Sequence, residues 1–342
     1  MWRFSSYYFA FVLGVTSATR FDFAPERTTS ASFNSNLPDL YSLQESQLQS
    51  QESNSYWAAS FVTATNNHQY AVMSQAMVSL SGQTVYQSAI LDLEDTNNYW
   101  RTQGLLPLRG NATTKNDVLD IDLKAFRFKG VSQDSVSKMN IWGVAETHEL
   151  NVTFDSSSPV ILNGGVGRFR WGSGITTQWS LPSCETSGTF TINGSVLEID
   201  PARSLTWYDR QHGVGGPSNF TWFGIIFPGS VKVSVWISDT AEPHNQKLRF
   251  ATIRAEDGLH ILRFEMEPGT GGTWTSPNTN LTYLRSWCLK FDNGDTLNIT
   301  TMREDQERLT ATPFYSGVVE AEGSFFGQQR GFGIVDIVPS LI

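Results

Sequence analysis

The sequence predicts an all-β protein made of two antiparallel units, each a β-barrel or a β-sandwich. Short apolar or alternating runs recur along most of the chain and are separated by Asn, Gly, Asp and Pro, which is typical of strands and turns. No segment carries the periodicity of a long amphipathic helix. The chain has 342 residues, of which 39% are hydrophobic, so two units with substantial cores are expected.

The candidate strands follow one another in chain order. In the first half they lie at 57–62, 69–77, 85–93, 118–128, 139–144 and 148–154. In 231–238 the odd positions are Val or Ile and the even positions are Lys, Ser or Trp, which predicts one buried face and one half-wet face. A hairpin is predicted over 289–299, with Asn293-Gly294 as a two-residue type I′ turn.

Changes in composition divide the chain into four parts. Residues 1–18 resemble a signal peptide, and 19–55 form an extended arm with at most one short helix. The two β-domains are predicted at 56–214 and 215–342, with the boundary in the glycine-rich segment 213–217.

Several features of the sequence predict a secreted protein, or one of the secretory pathway. The first 18 residues combine Arg3, a short apolar stretch and small residues at a plausible cleavage point. Cys184 and Cys288 predict one disulfide, with two buried thiols as the alternative. Six glycosylation sequons begin at Asn111, Asn151, Asn193, Asn219, Asn280 and Asn298.

Composition also restricts the partners. The net charge is −9 and the 24 basic residues form no run, which argues against nucleic acid. No segment is apolar over the length of a membrane span. Two cysteines and five scattered histidines have no metal-ligand spacing, and no phosphate-binding or nucleophile-elbow motif occurs, so no metal or cofactor is expected. The 22 Phe, 11 Trp and 10 Tyr favour a pocket for a small apolar or aromatic metabolite.

The run 207–213, Trp-Tyr-Asp-Arg-Gln-His-Gly, is the predicted site of chemistry. In a strand, Trp207, Asp209 and Gln211 share one face with Leu205, whereas the intervening residues share the other. We expect the first face to point inward. Burial beside an indole would raise the pKa of Asp209 and allow it to act as an acid. Residues 190–197, with Asn193-Gly194 at their centre, predict a hairpin that precedes this run. The structural alternative is that Asp209 merely fixes a corner after this hairpin.

These residues resemble the lipocalin-like superfamily of carotenoid 1,2-hydratases, kievitone hydratases and fungal Diels-Alderases. The stretches that carry the resemblance are 207–213 with Trp222-Phe223-Gly224, the aromatic first strand 55–61, and the closing segments 314–323 and 331–336. His212 departs from the Trp that is common in the family. Ser316 stands where Glu is common, so the role of that second acid is not carried over. The resemblance implies two lipocalin-like β-domains with the ligand between them or in a barrel mouth.

The resemblance implies two reactions, and a non-enzymatic function stands beside them as a third hypothesis. The favoured one is an intramolecular [4+2] cyclase, a Diels-Alderase acting on a linear polyene of secondary metabolism. The alternative is a secreted hydratase that adds water to an alkene of a prenylated phenolic, and the third is a non-catalytic carrier of an apolar metabolite. The predicted catalytic residues are Asp209, Trp207 and Tyr208. The predicted substrate-binding residues are Arg210, Gln211, His212, Trp222, Trp57 and Tyr315.

Overall fold

The structure is a computed structural model that describes residues 20–27, 42–49, 51–108, 113–239, 247–309 and 313–339. Almost all of this is β-structure, and the helical parts are α1 (Leu43–Leu48) and a 3-10 turn (Asn163–Gly165). The predicted all-β class is confirmed. The proposed signal peptide and the Asn111 sequon lie outside the described residues.

The first half of the chain forms a single curled sheet, a half-barrel. Its strands are β1 (Ser53–Ala64), β2 (Gln69–Val78), β3 (Gln83–Asp92), β4 (Tyr99–Pro107), β5 (Thr114–Lys115), β6 (Val118–Asp122), β7 (Phe126–Gly130), β8 (Lys138–Val144), β9 (His148–Asp155), β10 (Ile161–Leu162), β11 (Arg168–Trp171), β12 (Gly174–Ile192) and β13 (Ser195–Gly213). The main order is β4-β3-β2-β1-β13-β12-β9-β8-β7-β6-β5, and every pairing is antiparallel.

The second half forms a closed eight-stranded barrel. Its strands are β14 (Phe220–Ile226), β15 (Lys232–Asp239), β16 (Lys247–Ala255), β17 (Gly258–Pro268), β20 (Ser286–Phe291), β21 (Thr296–Thr301), β23 (Phe314–Phe325) and β24 (Gln328–Val338). Pairing of β21 with β23 closes the barrel, which removes its open edges. Three shorter strands lie outside this ring: β18 (Thr273–Thr275), β19 (Thr282–Leu284) and β22 (Glu307–Arg308).

The two longest strands, β12 and β13, form the hairpin that the sequence indicated. Asn193 and Gly194 connect them with φ values of 50° and 77°, the left-handed conformation that a type I′ turn requires at both positions. The predicted two-residue turn at Asn293-Gly294 is wrong. There, residues 292–295 separate β20 from β21, and only Gly294 has a positive φ, of 91°.

The two units pack through their outer faces. Trp57, Phe61 and Trp207 of the half-barrel are buried against Trp222 and Phe332 of the barrel. A separate apolar cluster fills the interior of each unit. The large apolar contact between the units fixes how their facing strands are positioned.

This packing corrects the prediction for β15. Its Val and Ile side chains fill the barrel interior as expected. The face expected to be half wet, with Lys232, Ser234, Trp236 and Ser238, is buried as well, because it lies against the half-barrel. The alternation in the sequence therefore separates two buried environments and not core from solvent.

Residues 20–27 form an N-terminal strap across both units. Phe23 is buried, with its ring centroid 5.6 Å from that of Phe61 on β1 and 4.8 Å from that of Phe332 on β24. Glu26 pairs with Lys232 at 3.1 Å and with Arg254 at 2.7 Å, both on the barrel. The strap adds apolar and ionic contacts to the interface.

The predicted disulfide is wrong, because Cys184 and Cys288 are both free thiols. Cys184 is buried in the half-barrel interior, where burial raises the pKa of its thiol well above the usual range. Cys288 lies on β20 in the barrel, between Glu267 and Asn298. The two sulfurs therefore belong to different units. Among the described residues, no helix has the length and apolar character needed to cross a membrane.

Candidate active site

A cavity of about 450 Å³ lies where the outer faces of the half-barrel and the barrel meet. Its walls are mainly apolar, as in most small-molecule sites. The apolar lining includes Trp57, Met77, Val78, Val85, Leu105, Trp171, Phe220, Trp222, Trp236 and Phe314. The polar lining includes Gln75, Gln178, Asp209, Gln211, His212 and Asp336. The cavity therefore presents two carboxyl groups within an aromatic surface.

Asp209 is held in place from the half-barrel side. It lies on β13, directly opposite Trp57 on β1 and Ser180 on β12. Its Oδ1 accepts a hydrogen bond from Ser180 Oγ at 2.5 Å, and its Oδ2 accepts one from Gln178 Nε2 at 2.8 Å. Gln178 Oε1 in turn accepts the indole N–H of Trp236 at 2.7 Å. This chain of hydrogen bonds connects the carboxyl group to the barrel.

Burial raises the pKa of Asp209 from 3.8 to about 6. The hydrogen bonds from Ser180 and Gln178 oppose this shift because they stabilise the charged form. The Trp207 indole N–H also lowers the pKa, although it forms no hydrogen bond of ordinary geometry. The sequence-based expectation of a raised pKa at this position agrees with the structure.

Asp336 is a candidate functional residue that the sequence did not reveal. It lies on β24 between Trp222 of β14 and Ser316 of β23. Its pKa is raised to about 7, mainly by burial and to a smaller extent by the charge of Asp209, against lowering by Ser316 and Arg308. Its Oδ1 has no hydrogen-bond partner among the described residues. The available signal was an acid within the apolar run 332–338, on the same strand face as Phe332 and Ile334.

The aromatic walls meet edge to face around the carboxyl groups. Trp222 lies 5.8 Å from Trp57 and 6.2 Å from Trp207, measured between ring centroids. The indole N–H of Trp222 donates to Ser234 at 2.9 Å, whereas those of Trp57 and Trp171 have no partner among the described residues. Indole faces can stabilise a cation, and the free N–H groups can bind a polar atom of a ligand.

The structure brings five of the predicted site residues to the cavity: Trp57, Asp209, Gln211, His212 and Trp222. Trp207 lies behind the wall, against Gly224 and Trp222. His212 is fixed at the rim by hydrogen bonds of 2.7 Å to Glu52 and 3.0 Å to Ser46.

Tyr208 and Arg210 lie on the opposite face of β13, so a role in direct contact with substrate does not fit their positions. Tyr208 is buried in the half-barrel interior and donates to Gln47 at 2.8 Å. The Arg210 guanidinium lies 4.2 Å from the Tyr56 ring centroid and donates to Asn54 at 2.5 Å. Both are tied to the segment around α1.

Tyr315 also lies away from the cavity. It is in the barrel interior, and its hydroxyl donates to the backbone oxygen of Arg303 at 2.6 Å. Within the described ranges, no group of three or more His, Cys, Asp or Glu is arranged to hold a metal ion.

A closed antiparallel barrel packed on a half-barrel, with a carboxyl-bearing cavity between them, defines a two-unit β-protein of lipocalin-like type. The chain belongs to the AttH-like family, whose model matches residues 44–338. This confirms the family resemblance read from the sequence. The chain is 33% identical to kievitone hydratase of Fusarium solani subsp. phaseoli over 330 residues, which cover 94% of this chain and 92% of that protein. It is 31% identical to dehydratase asqC of Emericella nidulans, covering 95% and 96% of the two chains.

Solved structures share the fold. The crystal structure of kievitone hydratase from Nectria haematococca matches with a TM-score of 0.85 and 33% identity, covering 94% of this chain and 99% of that one. A putative AttH protein from Nitrosomonas europaea matches with a TM-score of 0.71 and 15% identity, covering 89% and 98%, which supports the fold alone.

Proposed function

We propose that the protein is a hydro-lyase that adds water to a carbon–carbon double bond of a small apolar or aromatic metabolite, or removes it. The observation that carries the proposal is the pair of buried carboxyl groups, Asp209 and Asp336, on opposite walls of one aromatic cavity. Two relatives named for hydration and dehydration support the same reaction class.

The two carboxyl groups divide the acid and base roles. With pKa values of about 6 and 7, the pair keeps one proton between these pH values. Asp209 is the more easily ionised because it accepts two hydrogen bonds. Asp336 is therefore the acid and Asp209 the base, whereas the sequence had assigned the acid role to Asp209.

Hydration then proceeds in balanced steps. Asp336 transfers its proton to one alkene carbon, and positive charge develops on the other carbon, where the faces of Trp57 and Trp222 stabilise it. Water bonds to the cationic carbon and loses a proton to Asp209. Transfer of that proton back to Asp336 restores the enzyme. Dehydration is the same sequence in reverse.

The [4+2] cyclase and the carrier remain predictions from the sequence. A cyclase folds its substrate and polarises it without proton transfer, so it does not need two carboxyl groups with pKa values near neutrality. The hydro-lyase uses both. Export of the protein also remains a proposal, and Edman sequencing of material from the culture medium would test it by the residue that follows the cleavage point.

Kievitone supplied in oxygen-18 water is the first assay, with mass spectrometry of the product. A hydro-lyase yields a product heavier by one labelled water. Asp209→Asn and Asp336→Asn should each lower the rate about 100-fold or more, because each removes a proton carrier. Asp292→Asn is the control, since this acid is exposed and pairs with Arg263 far from the cavity.

Loss of activity counts only when circular dichroism shows that the variants are folded. Unchanged labelling by the folded Asp209→Asn and Asp336→Asn enzymes would sink the proposed mechanism. A linear polyene supplied in the same way would test the cyclase. An unlabelled product of the same mass as the polyene, formed equally by both variants, would favour the cyclase instead.

A further inference from the structure

We propose that Arg308 forms an oxygen-binding subsite at the Phe314–Asp336 wall of the cavity, which recognises a carbonyl oxygen of the substrate. This deepens the proposed function by naming the substrate class as a carbonyl-bearing metabolite, and it rests on that function for the reaction. Arg308 would be a specificity-determining residue, with Ser316 and Asp336 beside it.

The Arg308 guanidinium is buried without a hydrogen-bond partner among the described residues. The residue is 1% exposed, and its Nε, Nη1 and Nη2 form no hydrogen bond to any residue that the structure describes. Arg210 is equally buried but donates to Asn54 and to the backbone oxygens of Ser46 and Gln211. A buried cation without acceptors is costly, so such a group is more readily explained by a ligand than by a structural role.

Strand register places Arg308 on the face that carries the site. Arg308 on β22 is opposite Phe314 on β23. Phe314 lines the cavity, whereas Arg308 lies one position outside the lining. Cross-strand partners, and residues two apart on one strand, project from the same face of a sheet. Ser316 and its partner Asp336 therefore share this face with Arg308. The Arg308 charge is close enough to Asp336 to lower the pKa of that carboxyl group.

The groups around Arg308 do not neutralise it. Glu307 is on the opposite strand face, where it accepts hydrogen bonds from Tyr283, Thr279 and Ser276 in the barrel. His148 is kept neutral, because burial, assisted by Arg308, lowers its pKa to about 4. Tyr99 presents its ring 5.7 Å from the guanidinium carbon.

These surroundings select the chemistry of the ligand. Five N–H groups need acceptors, whereas a ligand carboxylate would be repelled by Asp209 and by any charge on Asp336. A neutral carbonyl oxygen accepts one or two of these N–H groups without adding a negative charge. Ser316 Oγ and Asp336 Oδ1 also have no partner among the described residues, so the subsite has further polar groups beside the oxygen.

Two probes of nearly the same shape test the assignment without turnover. 2-Acetylnaphthalene carries a carbonyl oxygen where 2-isopropylnaphthalene carries a methyl group, and the second probe has no alkene outside its aromatic rings that could be hydrated. Isothermal titration gives the ratio of their dissociation constants for the native protein and for Arg308→Met. Loss of a hydrogen bond from a charged donor should change this ratio at least about 10-fold, through weaker binding of the ketone. Arg263→Met, an exposed arginine on the barrel, is the control and should keep the native ratio.

Thermal melting separates the subsite from a structural role. Arg308→Met removes a buried charge that has no hydrogen-bond partner among the described residues, so its melting temperature should equal or exceed that of the native protein. The same ketone preference in native protein and Arg308→Met would overturn the proposal, as would a ratio unchanged in Arg308→Ala if the Met variant did not fold. The binding ratio does not depend on hydratase activity. Failure of the proposed reaction can therefore be distinguished from failure of the Arg308 subsite.

Discussion

Asp209 and Asp336 approach one another from different halves of the chain, and the charge on Asp209 raises the pKa of Asp336. One is on β13 of the half-barrel and the other on β24 of the barrel. Their relationship therefore depends on docking of the two units and not on either sheet alone. The reaction proposed above requires that the two carboxyl groups stay close to one another while one of them holds a proton.

The pH dependence of activity should be bell-shaped. Asp209 must be ionised, so activity falls as the pH drops below about 6. Asp336 must be protonated, so activity falls as the pH rises above about 7. Initial rates of hydration between pH 4 and 9 check this. Activity that rises steadily to pH 9 would contradict the assignment of Asp336 as the acid.

The two buried carboxyl groups should lower the free energy of unfolding as the pH rises, whereas His148, which is buried neutral, opposes them up to its unfolded pKa of 6.5. Both carboxyl groups have pKa values raised above the unfolded value of 3.8, so their contribution is fully present below that pH and is lost as the pH rises through about 6 and 7. Asp336 alone accounts for up to about 4 kcal/mol over this range. Urea unfolding at pH 4.5 and pH 8 measures the difference. In Asp336→Asn the difference should shrink, whereas in Asp292→Asn it should persist.

Gly224 allows the Trp207 indole to approach β14. A Cβ added at this glycine would lie 2.9 Å from Trp207 Cε2, with Ile334 on its other side at 3.2 Å. Gly224→Ala should therefore destabilise the protein by about 1–3 kcal/mol through overpacking at the interface. Gly143→Ala is the matched control, because its nearest contact would be an ordinary one of 3.5 Å. Equal melting temperatures for both variants would contradict this account.

Glu26 should be essential for attachment of the strap. Glu26→Gln leaves the buried Lys232 and Arg254 without their anion, and breaking such a buried pair costs about 3–5 kcal/mol. Thermal unfolding should show the loss, whereas Glu256→Gln, at an exposed position beyond β16, should not. If limited proteolysis cut both variants within 20–27 at the same rate, the strap would not depend on this ion pair.

The sequence predicted the parts of the fold that depend on local patterns. The alternation along β15 and the Asn193-Gly194 turn correctly indicated strands and a hairpin. The partition of β13 into two faces correctly separated Asp209 from Tyr208. The sequence could not predict what the more polar face of β15 contacts. A residue such as Trp236 is compatible either with solvent or with a second unit.

The sequence predicted Asp209 but not the groups that the barrel contributes to the site, again because long-range contacts leave no local pattern. Asp209 stands in a dense local motif, so its environment could be inferred from its neighbours. Asp336 and Arg308 acquire their roles only when the outer face of the barrel meets the half-barrel, a long-range contact that no local pattern records. The disulfide prediction was wrong for a similar reason, since an even number of cysteines does not show which unit holds each sulfur.

Each wall of the cavity is formed by one continuous stretch of the chain, because the described strands of the half-barrel all precede residue 214 and those of the barrel all follow residue 219. A single recombination event in the connecting segment would exchange one complete wall between relatives and leave the other unaltered. New combinations of acid, base and aromatic surface are thus accessible without passing through intermediates that have a broken strand.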